Sequence, residues 1–433
     1  MEISILVLLI TFMVLLALNV PISISIGVAT LLTMLFTIDV QPALVTIAQR
    51  MASGINSFAL LAIPFFILSG ILMGRGGIAH RLIEFAKVFF GMLPGGLAFV
   101  NIISCTLFGA ISGSAVAATS AIGGFMVPAM KKEGYDKNFS AAVTVTSSTT
   151  GLLIPPSNIL IVYSLASGGV SIAALFIAGY LPGILLMLGL MVACGIYAKI
   201  KRFPVGKRMS LREAAKKTLD AIPSLFLIVL VIGGIIGGYV TATEASVIAV
   251  LYSLLLSVVF YREVKVKELP SILIKSVETT AIVMLLIGTS SAMSWILSYE
   301  NIPQAISTAL ITLSDNPILI LLIINLVLLV VGIFMDMTPA VLIFTPIFLP
   351  VVTELGMSPL HFGIMMVLNL CIGLCTPPVG SVLFVGCGIA KTTIAQMVRP
   401  LLPMYFAMFV VLLMVTYIPW VSEALPRYFG LIQ

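Results

Sequence analysis

The stretch Gly151-Leu152-Leu153-Ile154-Pro155-Pro156 lies in an apolar segment and recurs in the second half of the chain as Gly373-Leu374-Cys375-Thr376-Pro377-Pro378. Paired prolines are uncommon in apolar segments, because proline lacks an amide donor and interrupts a helix. Shifting the sequence so that Gly151 falls on Gly373, a pairing called here the repeat register, aligns the two halves almost without gaps. Recurrence at a fixed spacing indicates two copies of one structural unit. The sequence therefore predicts two repeats, 1–198 and 221–433, joined by a basic linker at 199–220.

The composition places the protein in a membrane. Of its 433 residues, 61% are hydrophobic and 9% are charged, and the mean hydropathy is +1.24. Soluble domains carry about 25% charged residues, which excludes a water-facing surface of ordinary composition. The longest polar stretch, Lys199–Asp220, leaves no room for an extramembrane domain. We interpret the net charge of +6 as basic cytoplasmic loops rather than as a nucleic-acid surface.

The reactive side chains argue against an enzyme or a transition-metal site. The five cysteines lie in apolar surroundings without metal-ligand spacing, and His80 and His361 are far apart. An intramembrane enzyme would need a nucleophile and base or paired acids at membrane depth. We therefore expect no catalytic residues, no organic cofactor and no metal ion beyond Na⁺.

The basic residues indicate that the two repeats are inverted. In the first half they occupy predicted loops at 75–87 and 131–137, whereas the counterparts at 298–310 and 353–361 contain no Lys or Arg. Lys and Arg favour the cytoplasmic side of a membrane, so equivalent segments are predicted to lie on opposite sides. Inverted repeats are typical of secondary transporters.

The predicted fold is an all-α membrane protein with about five crossings in each half and both termini outside. The first half supplies crossings at 3–18, 22–38, 55–73, 138–163 and 173–198. The second half supplies crossings at 222–238, 240–260, 276–297, 361–386 and 400–422.

Each half also contains a predicted re-entrant hairpin and a broken helix. The hairpin at about 88–130 is predicted to break at Pro94-Gly95-Gly96 and at Gly109–Gly113, which gives arms of about a dozen residues, too short to cross roughly 30 Å of hydrocarbon. Its counterpart is at about 311–350. The helices at about 138–163 and 361–386 contain the paired prolines and are predicted to break there.

The hairpin tips and the helix breaks are the predicted functional site. Irregular backbone at membrane depth is tolerated only where protein or a water-filled cavity covers it. Free carbonyls and Ser or Thr hydroxyls suit Na⁺, and the N-termini of half-helices suit a carboxylate. Asp336 is the only acid between Asp315 and Glu354, and an ionisable residue at this depth indicates function.

Each of these groups has a purely structural alternative. Ser and Thr hydroxyls in membrane helices often bond to their own backbone, which applies to the cluster at 147–150. Asp336 can serve as a capping carboxylate, and Glu244 can cap a helix near the interface. The sequence leaves these alternatives open.

The motifs resemble those of one family over essentially the whole chain. They are LAIPFFILSG at 61–70, SGSAVA at 112–117, KKEGYD at 131–136, IPPSN at 154–158, TATEAS at 241–246, GIFMDMTPA at 332–340, HFGIMMVLNL at 361–370 and TPPVG at 376–380. Together they resemble the large membrane subunit of tripartite ATP-independent periplasmic (TRAP) transporters.

The resemblance implies a sodium-driven importer of an organic acid in a bacterial inner membrane, with the elevator-like fold of the ion-transporter superfamily. It implies two partners, a small four-helix membrane subunit and a periplasmic substrate-binding protein. The implied sodium ligands are Ser112, Gly113, Ser114, Thr149 and Thr150 in one half and Asp336, Thr338, Gly373 and Thr376 in the other. The implied substrate contacts are Asn158, Ser381, Pro156 and Pro378.

Departures from the dicarboxylate-type pattern bear on the substrate. Many such members have TPTEA where this chain has TATEA at 241–245, an Asp at the position of Ala118, and Leu-Asn at the position of Ser381-Val382. The stretch 381–387 more closely resembles members that carry sialic acid or related sugar acids. Sialic acid import is thus the expected function, with a C4-dicarboxylate TRAP subunit or a stand-alone sodium–anion symporter of the same superfamily as alternatives.

Overall fold

The computed structural model describes residues 2–204, 209–314 and 316–432, and this part of the chain is entirely helical apart from turns and connections. Its twenty α-helices are α1 (Glu2–Ala17), α2 (Ile22–Thr37), α3 (Val40–Ile55), α4 (Ala62–Arg75), α5 (Ile78–Phe90), α6 (Gly96–Ser112), α7 (Ala115–Lys132), α8 (Lys137–Thr150), α9 (Asn158–Ala166), α10 (Ile172–Lys201), α11 (Leu211–Ile236), α12 (Ala242–Leu254), α13 (Leu269–Tyr299), α14 (Ile302–Leu313), α15 (Pro317–Phe334), α16 (Met337–Glu354), α17 (Pro359–Cys375), α18 (Ser381–Ala390), α19 (Ile394–Tyr417) and α20 (Trp420–Tyr428).

Within the described residues, eight helical stretches are long and apolar enough to cross a bilayer. Large aliphatic and aromatic side chains cover much of the outer surface, as on α1, where Leu9 and Met13 are 56% and 62% exposed. Such a surface is stable in lipid but not in water. The prediction of an all-α membrane protein is confirmed.

The order of the helices follows the repeat register found in the sequence. Helices α7, α8 and α10 begin at positions 115, 137 and 172, and α16, α17 and α19 begin at the equivalent positions 337, 359 and 394. Helices α8 and α17 form the centre of the molecule, since every residue at 139–150 and at 360–375 is buried. The helices that pack directly on this pair include α6, α7, α10, α15, α16, α18 and α19, whereas α1, α2, α3 and α13 pack mainly on one another.

The predicted hairpin arms of about a dozen residues are wrong. Helices α6 and α7 contain 17 and 18 residues, which corresponds to about 26 Å each. Gly109 does not end α6, because the helix continues to Ser112 and this glycine provides room for a neighbouring backbone. The turn between the arms is confined to Gly113 and Ser114.

Segments predicted to be charged loops are instead amphipathic helices. The residues at 78–90 form α5, which buries Ile78 and Leu82 while other positions face outward. Their counterparts at 302–313 form α14, and α3 at 40–55 is a further helix outside the predicted crossings. At 12 to 16 residues these helices are too short to cross a bilayer.

Part of the predicted linker at 199–220 is also helical. Helix α10 extends to Lys201, and α11 begins at Leu211 with the Ser210 side chain accepting a capping hydrogen bond from the Glu213 amide. The linker residues 205–208 lie outside the described part of the chain.

Two pairs of glycines allow the hairpin arms to touch the broken helices. A Cβ atom on Gly151 would lie 2.5 Å from Gly109 Cα, and a Cβ atom on Gly373 would lie 2.6 Å from Gly332 Cα. Real Cβ atoms do not approach other heavy atoms this closely, so larger residues would force the two backbones apart.

We predict that Gly151→Ala lowers the thermal stability of the purified protein, at a cost of about 1–3 kcal/mol for overpacking. Gly124→Ala in α7 is the matched control, because a Cβ atom there meets nothing within 4 Å. Thermal unfolding in detergent, followed by intrinsic fluorescence, measures both variants. Equal melting temperatures for the two would contradict the close backbone contact.

Candidate functional site

The tip of the first hairpin is a tight turn at Gly113. Helix α6 ends at Ser112, Gly113 adopts φ = +62°, and the Ser114 side chain caps α7 by accepting a hydrogen bond from the Ala117 amide at 3.2 Å. Glycine takes a positive φ at little cost because it has no Cβ atom. The sequence SGS thus reverses the chain while leaving the backbone of both helix ends open.

The first broken helix is interrupted directly beside this tip. Helix α8 ends at Thr150, α9 begins at Asn158, and the Ser157 hydroxyl donates to the Leu152 carbonyl at 2.5 Å across the break. The peptide bond before Pro156 is cis. A Cβ atom on Gly113 would lie 2.7 Å from Asn158 Nδ2. The structure therefore brings a predicted sodium residue and a predicted substrate residue into contact.

Three predicted site residues carry buried oxygens without a hydrogen-bond partner. In the described part of the chain these atoms are Thr150 Oγ1, Asn158 Oδ1 and Ser381 Oγ. Thr149 differs, because its hydroxyl donates to the Thr146 carbonyl at 2.9 Å, as the structural alternative predicted. Burying a polar atom without a partner costs about 1–3 kcal/mol. Such atoms need an explanation, and a bound ion or ligand supplies one.

The second hairpin places Asp336 at its tip. Helix α15 ends at Phe334, and Asp336 occupies the N-cap position of α16 without making a side-chain capping hydrogen bond. Asp336 is exposed, and Thr338, in the first turn of α16, is half-buried. The Asp336 carboxylate accepts a hydrogen bond from the adjacent Met337 amide. Glu244 does cap, since its carboxylate accepts from the Thr241 amide at 2.7 Å.

The second broken helix is bonded to the second tip. Helix α17 ends at Cys375 and α18 begins at Ser381, while the Thr376 hydroxyl donates to the Ile372 carbonyl at 2.7 Å. The Gly380 amide donates to the Ile333 carbonyl at 3.1 Å, which joins break and tip through their backbones. The peptide bond before Pro378 is cis. Gly373, another predicted sodium residue, packs against Gly332 of the hairpin.

The two breaks lie next to each other. The Cys371 thiol donates to the Thr149 carbonyl at 3.3 Å, and these two residues are equivalent in the repeat register. The Cys375 thiol reaches the Val145 carbonyl at 3.4 Å, and Tyr405 donates to the Cys375 carbonyl. Helix ends from both halves thus converge on one region of the core.

The predicted prolines are placed differently from each other. Pro156 is buried and lines a small cavity together with Ile111 at the hairpin tip and Phe66 of α4. Pro378 is exposed. Pro156 therefore lies beside the first tip, whereas Pro378 lies at the surface of the second break.

One neighbour of the site did not appear among the predicted residues. A Cβ atom on Gly70 of α4 would lie 2.8 Å from the Ser112 carbonyl oxygen, so α4 forms one wall of the tip. The signal was present in the sequence as the glycine that ends the motif at 61–70, but a single apolar-segment glycine does not reveal its partner.

Chemically the site offers oxygen ligands and helix N-termini. Helices α7, α9, α16 and α18 all begin at a tip or a break, and each N-terminus carries positive partial charge. No group of three His, Cys, Asp or Glu residues able to hold a metal ion occurs in the described ranges. Hydroxyl and carbonyl oxygens are ligands for hard cations rather than for soft metals.

Comparison with a solved structure agrees with the fold. The Alcanivorax borkumensis YdaH transporter, whose crystal structure is described as having an unusual topology, superimposes with a TM-score of 0.63 at 13% identity over 90% of each chain.

Comparison with known sequences is more specific. The chain is 54% identical over 420 residues to uncharacterized protein YgiK of Salmonella typhimurium, covering 97% of this chain and 96% of that protein. It is 40% identical to the C4-dicarboxylate TRAP transporter large permease protein DctM of Pseudomonas aeruginosa, over 94% and 95% of the two chains. It is 38% identical to the sialic acid TRAP transporter large permease protein SiaM of Vibrio cholerae, over 88% and 89%.

A family model described as "Tripartite ATP-independent periplasmic transporter, DctM component" matches residues 9–421. The match covers nearly the whole chain, including both hairpins and both broken helices. Proteins of this kind are transport permeases and not enzymes. The chain is therefore a member of the DctM family, a multi-pass large permease subunit of a TRAP transporter.

Proposed function

We propose that this subunit couples the inward movement of an organic acid to sodium ions by an elevator motion of its hairpins and broken helices. The observation that carries the proposal is the set of buried, unpartnered oxygens on Thr150, Asn158 and Ser381. These three atoms belong to residues at the breaks, where backbone carbonyls are also free of helical partners. A cation would be bound by these oxygens and by the free carbonyls, whereas a carboxylate would accept hydrogen bonds from the hydroxyls and from the N-termini of the half-helices.

Sodium is the cation that this chemistry favours. In the first half Ser112, Gly113, Ser114, Thr149 and Thr150 supply hydroxyl and carbonyl oxygens, and in the second half Asp336, Thr338, Gly373 and Thr376 do so. Sodium bound near Asp336 would neutralise its carboxylate at membrane depth, where an unpaired charge is costly. The carboxylate of the substrate would then lie beside the ions and the N-termini of α9 and α18, with Asn158 and Ser381 as polar contacts.

Two sodium sites give the transporter a voltage-driven step. Two sodium ions with one monovalent anion carry one net positive charge inward, which is worth about 2.3 kcal/mol per 100 mV. That free energy corresponds to roughly fiftyfold accumulation of the substrate, before the sodium gradient itself is counted. One sodium ion per monovalent anion would be electroneutral and gain nothing from the membrane potential.

The arrangement of the halves supports an inverted pair of repeats. Contact between Thr149 and Cys371 joins residues at equivalent positions, and such a contact occurs where a local two-fold axis passes between two copies. If that axis lies in the membrane plane, the hairpins enter from opposite faces and meet at the two breaks. Hairpins and broken helices would then move together past α2, α4 and α13.

Sialic acid or a related sugar acid is the proposed substrate class. The relatives named for sialic acid and for C4-dicarboxylates are almost equally similar to this chain, so overall identity does not separate them. The pattern at 381–387 favours the sugar acid, and the P. aeruginosa relative favours a C4-dicarboxylate as the second candidate. We further propose a periplasmic binding protein and a small membrane subunit as partners in a bacterial inner membrane.

Uptake by the reconstituted complex tests the proposal directly. Proteoliposomes with the small subunit and the purified binding protein are expected to accumulate sialic acid only with an inward sodium gradient, and to transport succinate and aldonates less well. Scintillation counting of labelled substrate measures uptake, with potassium replacing sodium as the control. Uptake that is unaffected by removing sodium would exclude sodium coupling, and uptake without the binding protein would indicate a stand-alone carrier.

Replacing one unpartnered hydroxyl tests the sodium site separately from transport. Thr150→Val is expected to leave the sodium-free protein as stable as the parent, because no hydrogen bond is lost, while weakening sodium binding about tenfold. The shift in melting temperature during a sodium titration measures the affinity. Thr146→Val, which removes a hydroxyl bonded to the Ala142 carbonyl, should retain the parental sodium response. Equal sodium responses for both variants would remove Thr150 from the site.

Single-cysteine labelling tests the inversion. Lys131 and Thr353 are exposed and occupy equivalent positions in the repeat register, and the five native cysteines are buried. We expect Lys131→Cys and Lys391→Cys to react with an impermeant maleimide only from the cytoplasm, and Thr353→Cys only from outside. Labelling of Lys131→Cys and Thr353→Cys from the same side would show that the repeats are parallel.

A further inference from the structure

Helix α5, which leads into the first hairpin, is fastened to α11 through Arg81. The guanidinium lies over the Tyr261 ring at 3.6 Å from its centroid. Its Nε atom is 3.3 Å from the Asp220 carboxylate, and an Nη atom is 3.9 Å from the Glu263 carboxylate. The Arg81 side chain is 15% exposed, so the guanidinium itself is largely shielded from solvent. A stacked and paired arginine of this kind holds its neighbours together more firmly than a surface ion pair.

Tyr261 is itself held in place by α11. Its hydroxyl lies 3.0 Å from the Ser224 hydroxyl and donates to the Asp220 carbonyl at 3.2 Å. The ring therefore presents a fixed face to Arg81, and the turn after α12 joins α5 and α11 into one unit.

A second ionic contact fastens the same two helices further along. Lys217 of α11 lies 2.9 Å from the Glu84 carboxylate, which also pairs with Lys87 at 2.6 Å. Burial raises the pKa of the Glu84 carboxyl, but the hydrogen bonds from Lys87 and Lys217 outweigh burial and hold that pKa below its usual range. Glu84 is therefore ionised at neutral pH and attracts Lys217.

The described residues of the corresponding helix in the second half form no ion pairs, although the Ser307 hydroxyl donates to the Glu354 carboxylate of α16 at 2.6 Å. The sequence of α14, IPQAISTALITL, contains no charged residue, and Ala305 is the counterpart of Arg81 when Gly77 is paired with Asn301. Helix α5 packs along α11, whereas α14 packs against α16 and α13, and α1, the counterpart of α11, packs mainly against α2. Helix α5 is thus docked on α11, whereas its counterpart α14 is not docked on α1, the counterpart of α11.

We propose that Arg81, Tyr261, Asp220, Glu263, Glu84 and Lys217 form a cytoplasmic lock that holds α5 on α11 in one state of the transport cycle and opens in the other. This inference rests on the proposed elevator function. When two inverted repeats adopt different conformations, exchanging those conformations generates the opposite-facing state. In that state α5 would take the undocked arrangement now seen for α14, and each contact of the lock would be broken.

The lock stabilises one state of the proposed cycle relative to the other. Because α14 carries no charges, no equivalent set of ion pairs stabilises the opposite state. Asp220 and Glu263 are 57% and 51% exposed, so their share of the lock is screened by salt, whereas stacking on Tyr261 is not. High ionic strength should therefore loosen the lock only in part.

Distances between spin labels on α5 and α11 test the lock in the full-length protein in nanodiscs. Labels at Phe89→Cys and Arg212→Cys, both exposed positions, are read by double electron–electron resonance, and the buried native cysteines should remain unlabelled. We expect one short distance in the parent. Arg81→Ala and Tyr261→Leu should each raise the ratio of undocked to docked α5 about tenfold, producing a second, longer distance.

Matched variants separate the lock from general damage. Tyr261→Phe keeps the ring but loses the hydroxyl bonds to Ser224 and Asp220, so it should give a smaller shift than Tyr261→Leu. Lys131→Ala removes an exposed charge outside the lock and should keep the short distance. Lys217→Ala, a partly exposed position, should give a smaller shift than Arg81→Ala and remains informative if either core variant fails to fold. An unchanged single distance in Arg81→Ala, Tyr261→Leu and Lys217→Ala would overturn the lock. Release of α5 in those variants together with sodium-independent uptake by the parent would support the lock while refuting the proposed coupling.

Discussion

The site depends on close backbone contact at two pairs of glycines, where no side chain separates the helices. Gly151 lies against Gly109, and Gly373 lies against Gly332, at separations that leave no room for a Cβ atom. Because the backbones touch, the carbonyls and helix ends of each break come within reach of a hairpin tip. Wider spacing would leave the same residues in the sequence but separate their oxygens, and lipid or water would fill the gap.

The two halves share this backbone arrangement but differ in their side chains. Asn158 and Ser381 carry the unpartnered oxygens, whereas their counterparts in the repeat register are Gly380 and Ile159. Backbone ligands are therefore available in both halves, while side-chain ligands are distributed unequally. This is the arrangement expected if similar ions bind in both halves and one asymmetric organic anion lies between them, because symmetric side chains would be matched poorly to an asymmetric substrate.

The sequence located the tips and breaks because glycine and proline act on the backbone locally. Gly113 and the paired prolines at 155–156 affect φ or remove an amide wherever they lie, so no knowledge of tertiary neighbours was needed. The same reasoning failed at Gly109, which lies inside a helix and serves a packing contact visible only in three dimensions. It also failed for α5, because basic residues mark the side of the membrane but do not show whether the segment is a loop or an amphipathic helix. The roles of Thr149 and Thr150 could not be separated either, since adjacent hydroxyls on one helix differ only in what surrounds them.

A symmetric centre and an asymmetric periphery have different consequences for the transport cycle. If the halves were identical, exchanging their conformations would give two states of equal free energy, and the centre, where Thr149 meets Cys371, approaches this condition. Among the described residues, the ion pairs and stacked ring around Arg81 have no counterpart on α14. In the proposed cycle their free energy would add to one state and not to the other, and a bias of a few kcal/mol is enough to leave a minor state at roughly 0.1–10% of the population. Under the proposed sodium coupling, substrate and sodium would supply that difference through tighter binding to the less favoured state. Charges far from the site would then influence apparent affinity without touching the substrate.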